Sequence, residues 1–128
     1  MSPYATAWAT AFAITITVEV AVAVPLLAPT GVRLWRRAAL VVLANLATHP
    51  LVWFAFPQLG LFGNGRLAVS ELFAVAVEAA AYVLFWPTSA ASPARAKAVA
   101  LHSFGTSAVA NGASFAAGLT LRALGVPI

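Results

Sequence analysis

"LVVLANLATHPLVWFAF", residues 40–56, is apolar enough to enter a bilayer, yet its middle holds Asn45, Thr48, His49 and Pro50. An amide, a hydroxyl, an imidazole and a residue with no backbone N–H all carry a cost in hydrocarbon. A membrane helix that keeps them has to turn them toward other helices. The stretch thus predicts a helical, polytopic membrane protein with a polar interior, and the rest of the chain can be read against that expectation.

Composition agrees. The 128 residues are 62% hydrophobic and 8% charged, with a mean hydropathy of +0.95, whereas soluble domains carry about 25% charge. Crossing ~30 Å of hydrocarbon takes about 20 helical residues. Four stretches satisfy this, at roughly 5–28, 36–56, 66–86 and 97–121. They are Ala-rich and do not alternate, which argues against a strand barrel. The segments "PLLAPTGVRLWRR", "PQLGLFGNG" and "WPTSAASPARAK" between them are rich in helix-ending residues. The fold class expected is an all-α integral membrane protein, 1–128 forming one four-helix transmembrane domain. The N-terminal apolar run has no basic leader and is longer than a signal core, so it reads as a retained span.

Charge placement orients the bundle. Arg33, Arg36, Arg37, Arg95 and Lys97 fall in or beside the first and third loops, and only Arg66 and Arg122 lie toward the other side. The positive-inside rule makes the two basic loops cytoplasmic and both termini external, in a plasma membrane of the bacterial inner-membrane type. Tyr4, Trp35 and Trp86 fall near the expected interfaces. The partners expected are the lipid bilayer and a second copy or another membrane subunit. The basic residues form no long polar surface for nucleic acid. With no cysteine in the chain, disulfides, thiolate metal sites and cysteine nucleophiles are excluded.

The two halves resemble each other. "ANLATHPL" (44–51) aligns with "ANGASFAA" (110–117), matching Asn45 to Asn111 and Thr48 to Ser114. Upstream, "TVEVAVAVPLL" (17–27) aligns with "AVEAAAYVLFW" (76–86), matching Glu19 to Glu78. Helices 1 and 3 run the same way, so the repeat is expected to be parallel, an arrangement found in transporters with sites at the repeat interface. His49 and Pro50 have no counterpart, because Phe115 and Ala116 stand in their places.

The candidate ion- or substrate-binding residues are Glu19, Asn45, Thr48, His49, Glu71, Glu78, Asn111 and Ser114. Counting at ~1.5 Å per residue puts Glu19, Asn45 and Glu78 at one depth. His49, four residues past Asn45, is expected between Glu78 and Glu71, which share a helix face seven residues apart. Tyr82, one turn past Glu78, extends the cluster toward the cytoplasm. Pro50 is expected to kink helix 2 and free an acceptor beside the cluster. Ala110, Ser114 and Gly118 form a small-residue seam, and His102 reads as an interfacial residue.

Several chemistries can be weighed on these residues. His49 with Glu78, Glu71 or Glu19 offers nitrogen and oxygen to a metal, but without HExxH spacing. Haem would need two histidines at matched depth, and His49 and His102 are not. No cofactor is evident, and the acids leave room for a bound cation. Glu78 or Glu71 with His49 could activate a water in an intramembrane enzyme, and these three are the catalytic candidates. Serine hydrolysis lacks a nucleophile-elbow signature around Ser107 or Ser114. A mid-span glutamate in helix 1 followed by "RLW" resembles small multidrug transporters, which work as dimers, over about 20 residues; helix 3 departs, carrying two glutamates in place of that family's glycine pattern. The function expected is a proton- or cation-coupled transporter or ion pathway. The alternatives are the intramembrane enzyme and a non-catalytic membrane subunit or scaffold.

Overall fold

The computed structural model describes residues 2–60, 63–86 and 92–126. They are helical nearly throughout, in the order α1 (Pro3–Leu26), a 3-10 turn (Ala28–Thr30), α2 (Leu34–Pro50), a π segment (Leu51–Ala55), a 3-10 turn (Phe56–Leu59), α3 (Gly63–Phe85) and α4 (Pro93–Ala123). Three helical stretches, Pro3–Leu26, Leu34–Leu59 and Gly63–Phe85, are long and apolar enough to cross a membrane. The residue distribution points the same way. Among the described residues, polar side chains outnumber apolar ones in the buried set, while Leu43, Leu72, Leu84, Leu101 and Phe104 face outward. That is the reverse of a soluble core and suits an outer surface that meets lipid.

Successive helices run antiparallel, and each packs mainly on two neighbours in the ring α1–α2–α3–α4. Glu19 and Glu78 thereby sit on one diagonal of the bundle, and Asn45 and Asn111 on the other. α4 is not among the span-length apolar helices, and the reason is local. Its inward face carries Ser103, Thr106, Ser107, Asn111 and Ser114, all buried.

Helix starts differ from the hydropathy reading by two to four residues. α1 and α4 both open on a Ser-Pro pair. Ser2 Oγ accepts the Ala5 amide at 3.2 Å and Ser92 Oγ accepts the Arg95 amide at 3.3 Å, with proline at the first helical position of each. Arg95 and Lys97, expected in or beside the third loop, are therefore exposed residues in the first two turns of α4. The remainder of that connection, 87–91, and residues 61–62 of the second one lie outside the described residues.

The span expected at 36–56 is a helical stretch over Leu34–Leu59, and its regular winding ends at Pro50. Pro50 cannot donate to Leu46, and α2 gives way there to the π segment, in which the Phe56 amide reaches back to the Leu51 carbonyl. Pro57 likewise supplies no amide to the Trp53 carbonyl, and the Tyr4 hydroxyl donates to it at 2.5 Å. The change is thus one of winding, stabilised from α1.

The opposite end of α1 is closed by side chains. Pro25 and Pro29 stop the chain from continuing as helix. The Arg37 guanidinium donates to the Val24 carbonyl at 2.6 Å, and His102 Nε2–H donates to the Leu26 carbonyl at 2.8 Å. His102 also stands edge-on to Trp86, with ring centroids 5.7 Å apart. These contacts tie α1, α2, α3 and α4 together at the basic end. A hydrogen bond from a charged donor contributes about 1.5–3 kcal/mol, so Arg37→Met should lower unfolding stability in detergent by about that amount. An unchanged melting temperature would show that the bond adds nothing to the fold.

Candidate functional site

The site is built where the two diagonals meet. Glu19 is 0% exposed and Glu78 is 1% exposed. Burial on this scale demands that every carboxylate oxygen find a donor. Asn45 Nδ2 donates to Glu19 Oε2 at 2.7 Å, and Asn111 Nδ2 donates to Glu78 Oε2 at 2.7 Å. Ser114 Oγ donates to Glu19 Oε1 at 2.9 Å, and Thr48 Oγ1 donates to Glu78 Oε1 at 3.2 Å. Ser107 Oγ adds a contact to Glu78 Oε2 at 3.3 Å. Each acid thus takes an amide from the next helix in the chain and a hydroxyl from the other neighbour in the ring.

The donors are themselves held by their own helices. Asn45 Nδ2 uses its second hydrogen on the Val41 carbonyl at 3.1 Å, and Asn111 does the same on the Ser107 carbonyl at 3.0 Å. In both cases the amide is pinned to the carbonyl four residues back, which fixes its rotamer. Thr48 and Ser114 sit three residues further on and contact the Asn45 and Asn111 carbonyl oxygens at 3.5 and 3.0 Å. The bonds close a circuit through all four helices, and every donor in it is uncharged.

Six of the eight residues predicted for the site are joined in this circuit: Glu19, Asn45, Thr48, Glu78, Asn111 and Ser114. His49 and Glu71 are not. The structure differs here from the expected placement of His49 between Glu78 and Glu71, for a geometric reason. From Asn45, three residues on is about 60° to one side of its helix face and four residues on is about 40° to the other. Thr48 consequently turns to α3 and meets Glu78, while His49 turns to α1. Its ring packs against Phe12 and Trp53, with centroids 5.0 and 5.9 Å away, and its Nδ1 is buried with no hydrogen-bond partner among the described residues.

A cavity of about 460 Å³ stands above the circuit. Glu19, Asn45, Glu78 and Asn111 line its floor, His49, Trp53 and Glu71 its wall, and the exposed residues Tyr4, Arg66 and Arg122 its rim. It is a vestibule that opens at the end away from Arg33, Arg36 and Arg37. On the other side of the circuit the bundle is closed by Ala23, Val24, Leu27, Val41, Ala44, Tyr82 and Ala110. Ala110, Ser114 and Gly118, expected as a packing seam, lie along the inner side of α4, with Ser114 committed to Glu19.

Among the described residues, no group of three or more metal-ligating side chains comes together. His49 and Glu78 both line the vestibule, but no bond joins them. The capping roles of Arg37 and His102 escaped the sequence reading. The available signal was the proline-marked end of α1 at 25–29, because the last carbonyls of a helix have no intrahelical amide. No protein-family model matches the chain, and neither does any curated protein or solved structure.

The circuit predicts energetic coupling between specific pairs. A double-mutant cycle of Glu19→Gln with Asn45→Ala, read by thermal unfolding in detergent, should give an interaction energy of about 0.5–3 kcal/mol. The same cycle run with Arg37→Met, at the far end of the bundle, should give about zero. Equal coupling in both cycles would contradict a localised circuit.

Proposed function

We propose that this protein carries protons, or a cation exchanged for them, across a membrane, with Glu19 and Glu78 as the carriers. The observation that supports the reading is a pair of wholly buried carboxyl groups, bonded only to neutral partners, on the floor of a vestibule open at one end. A basic partner beside a buried glutamate would hold it in its charged form. Neutral partners leave the charge free to change.

The donor types suit that change. An amide N–H can only donate, so Asn45 and Asn111 hold one oxygen of each carboxyl as an acceptor in either protonation state. A hydroxyl can donate or accept, so Thr48 and Ser114 donate to a carboxylate and accept from a carboxylic acid by rotation about one bond. Glu19 therefore has one fixed side and one reversible side, whereas Glu78, whose Oε2 also meets Ser107 Oγ, has a reversible hydroxyl at both oxygens. A proton arriving through the vestibule is taken up on a reversible oxygen, and its departure restores the original bond. Glu71 and His49 in the vestibule wall give an arriving proton or cation intermediate positions on the way.

In this reading α4 is the fourth span, and its polar face is tolerated because it is turned inward. The basic end is cytoplasmic and the vestibule opens outward. The two Glu/Asn pairs and the reciprocal Ser114 and Thr48 bonds support a parallel duplication. A bundle this small gains surface and symmetry from a second copy, so a homodimer is the assembly proposed, in a bacterial inner-membrane type of plasma membrane.

The test is reconstitution. Purified protein in liposomes under an imposed pH gradient should release it at a rate proportional to protein content. Loss of one proton-transfer group typically costs about 10²–10⁴-fold in rate, so Glu19→Gln and Glu78→Gln should each bring flux near the empty-liposome baseline. Full flux in both variants would exclude the carrier role.

A further inference from the structure

We infer that protons pass between Glu78 and the basic end of the bundle along a ribbon of buried hydroxyls on α4, completed from α3 by Tyr82. The inference rests on the carrier reading above and adds the second half of the route. The vestibule reaches the acids from one side only, and nothing so far connects them to the other.

α4 places Ser103, Ser107, Asn111 and Ser114 at intervals of four, four and three residues, which is one inward face. All four are buried, and Ser107 already bonds Glu78 at 3.3 Å. Ser103 lies one turn closer to the basic end. On α3, Tyr82 lies one turn beyond Glu78 in the same direction. The Trp86–His102 contact fixes the register of these antiparallel helices and sets Tyr82 level with Ser103 to Ser107. Tyr82 and Ser103 are both 0% exposed, and neither the phenol oxygen nor the serine oxygen has a hydrogen-bond partner among the described residues. Unpaired hydroxyls sealed in a protein interior are costly and uncommon. Two of them within about a turn of each other, on the basic-end side of a buried carboxyl, leave hydrogen-bonding capacity that a water or a passing proton would use.

The matching positions around Glu19 have nothing of the kind. Four residues after Glu19 is Ala23, where Tyr82 follows Glu78. Four residues before Asn45 is Val41, where Ser107 precedes Asn111. Eight before Asn45 is Arg37, turned to the Val24 carbonyl, where Ser103 precedes Asn111. Ala23 and Val41 belong to the apolar plug. Glu19 is therefore sealed from the basic end, and Glu78 has a polar path to it. The two acids act in series, Glu19 exchanging only with the vestibule and Glu78 passing protons on to the basic end.

Each transfer along the ribbon breaks one O–H bond and makes the next. A proton leaving Glu78 joins Ser107 Oγ as that hydroxyl releases its own hydrogen toward Ser103 and Tyr82, with water bridging wherever two oxygens are too far apart. Each hydroxyl ends a passage with one hydrogen as before, and rotation about its C–O bond returns that hydrogen to the starting direction. His102, half-buried and at the basic end of α4, stands where the path meets the surface.

The experiment uses the full chain in liposomes, with a pH-sensitive dye inside and the membrane potential clamped by potassium and valinomycin. Tyr82→Phe removes one oxygen and keeps the ring in the plug, and Ser103→Ala removes the other. The double variant should slow proton flux by at least about tenfold and raise the solvent deuterium isotope effect, while Tyr82→Phe alone should give a measurable part of the loss. A purely structural role for these hydroxyls would leave the isotope effect unmoved. Wild-type flux in Tyr82→Phe and in the double variant, with Glu78→Gln inactive, overturns the ribbon and leaves the carrier reading standing. Absence of flux in the wild type, or full flux in both Glu78→Gln and Glu19→Gln, overturns both.

Discussion

Two carboxyl groups buried in a helical bundle constrain everything around them. Each has to be supplied with donors from within the protein, because the medium around a membrane helix provides none. Here the donors come from the two flanking helices in every case: an amide from the next helix in the chain and a hydroxyl from the other neighbour. Satisfying both acids at once requires all four helices at one register. A shift of one turn in α2 would take Asn45 from Glu19 and Thr48 from Glu78 together. The circuit is thus also what makes the bundle order unique.

The ends are held by a second class of contact with the same logic. Prolines at 25, 29, 50 and 57 interrupt the helical amides, and side chains from other helices bond nearby carbonyls: Arg37 and His102 those of Val24 and Leu26 at the end of α1, and Tyr4 that of Trp53, which Pro57 leaves without an amide. At Pro57 the replacement donor, the Tyr4 hydroxyl, is in place across the bundle. The π segment that follows Pro50 borders the vestibule through Val52 and Trp53, while Leu51, Phe54 and Ala55 are exposed on the outside of the bundle.

Much of this was legible in the sequence. Hydropathy located four helices to within a few residues, and the mid-span positions of Glu19, Asn45, Glu78 and Asn111 identified the polar layer, because polar groups in apolar helices have to find one another. The Ser-Pro pairs at 2–3 and 92–93 carried the true helix starts, but a hydropathy window weighs apolar length and passes over caps. The partner of each acid was not legible. Counting puts Asn45 level with both Glu19 and Glu78, and only the structure gives its amide to Glu19. Depth along an axis can be counted from sequence, whereas direction around the axis depends on where the neighbouring helices stand.

His49 shows the limit most clearly. It is one residue from Thr48 and shares its depth, yet the two side chains face different helices, one toward an aromatic wall and one toward an acid. A rotation of about 100° per residue separates them, and no property of either residue says which way α3 lies. By itself the sequence determined that the chain forms long apolar helices with a shared polar layer, since composition and helical period suffice for that. Only the tertiary structure decided which donor serves which acid, that a vestibule opens on one side, and that hydroxyls line the other side of Glu78 alone. Those are relations between helices, and they exist only once four surfaces have been brought to a common register.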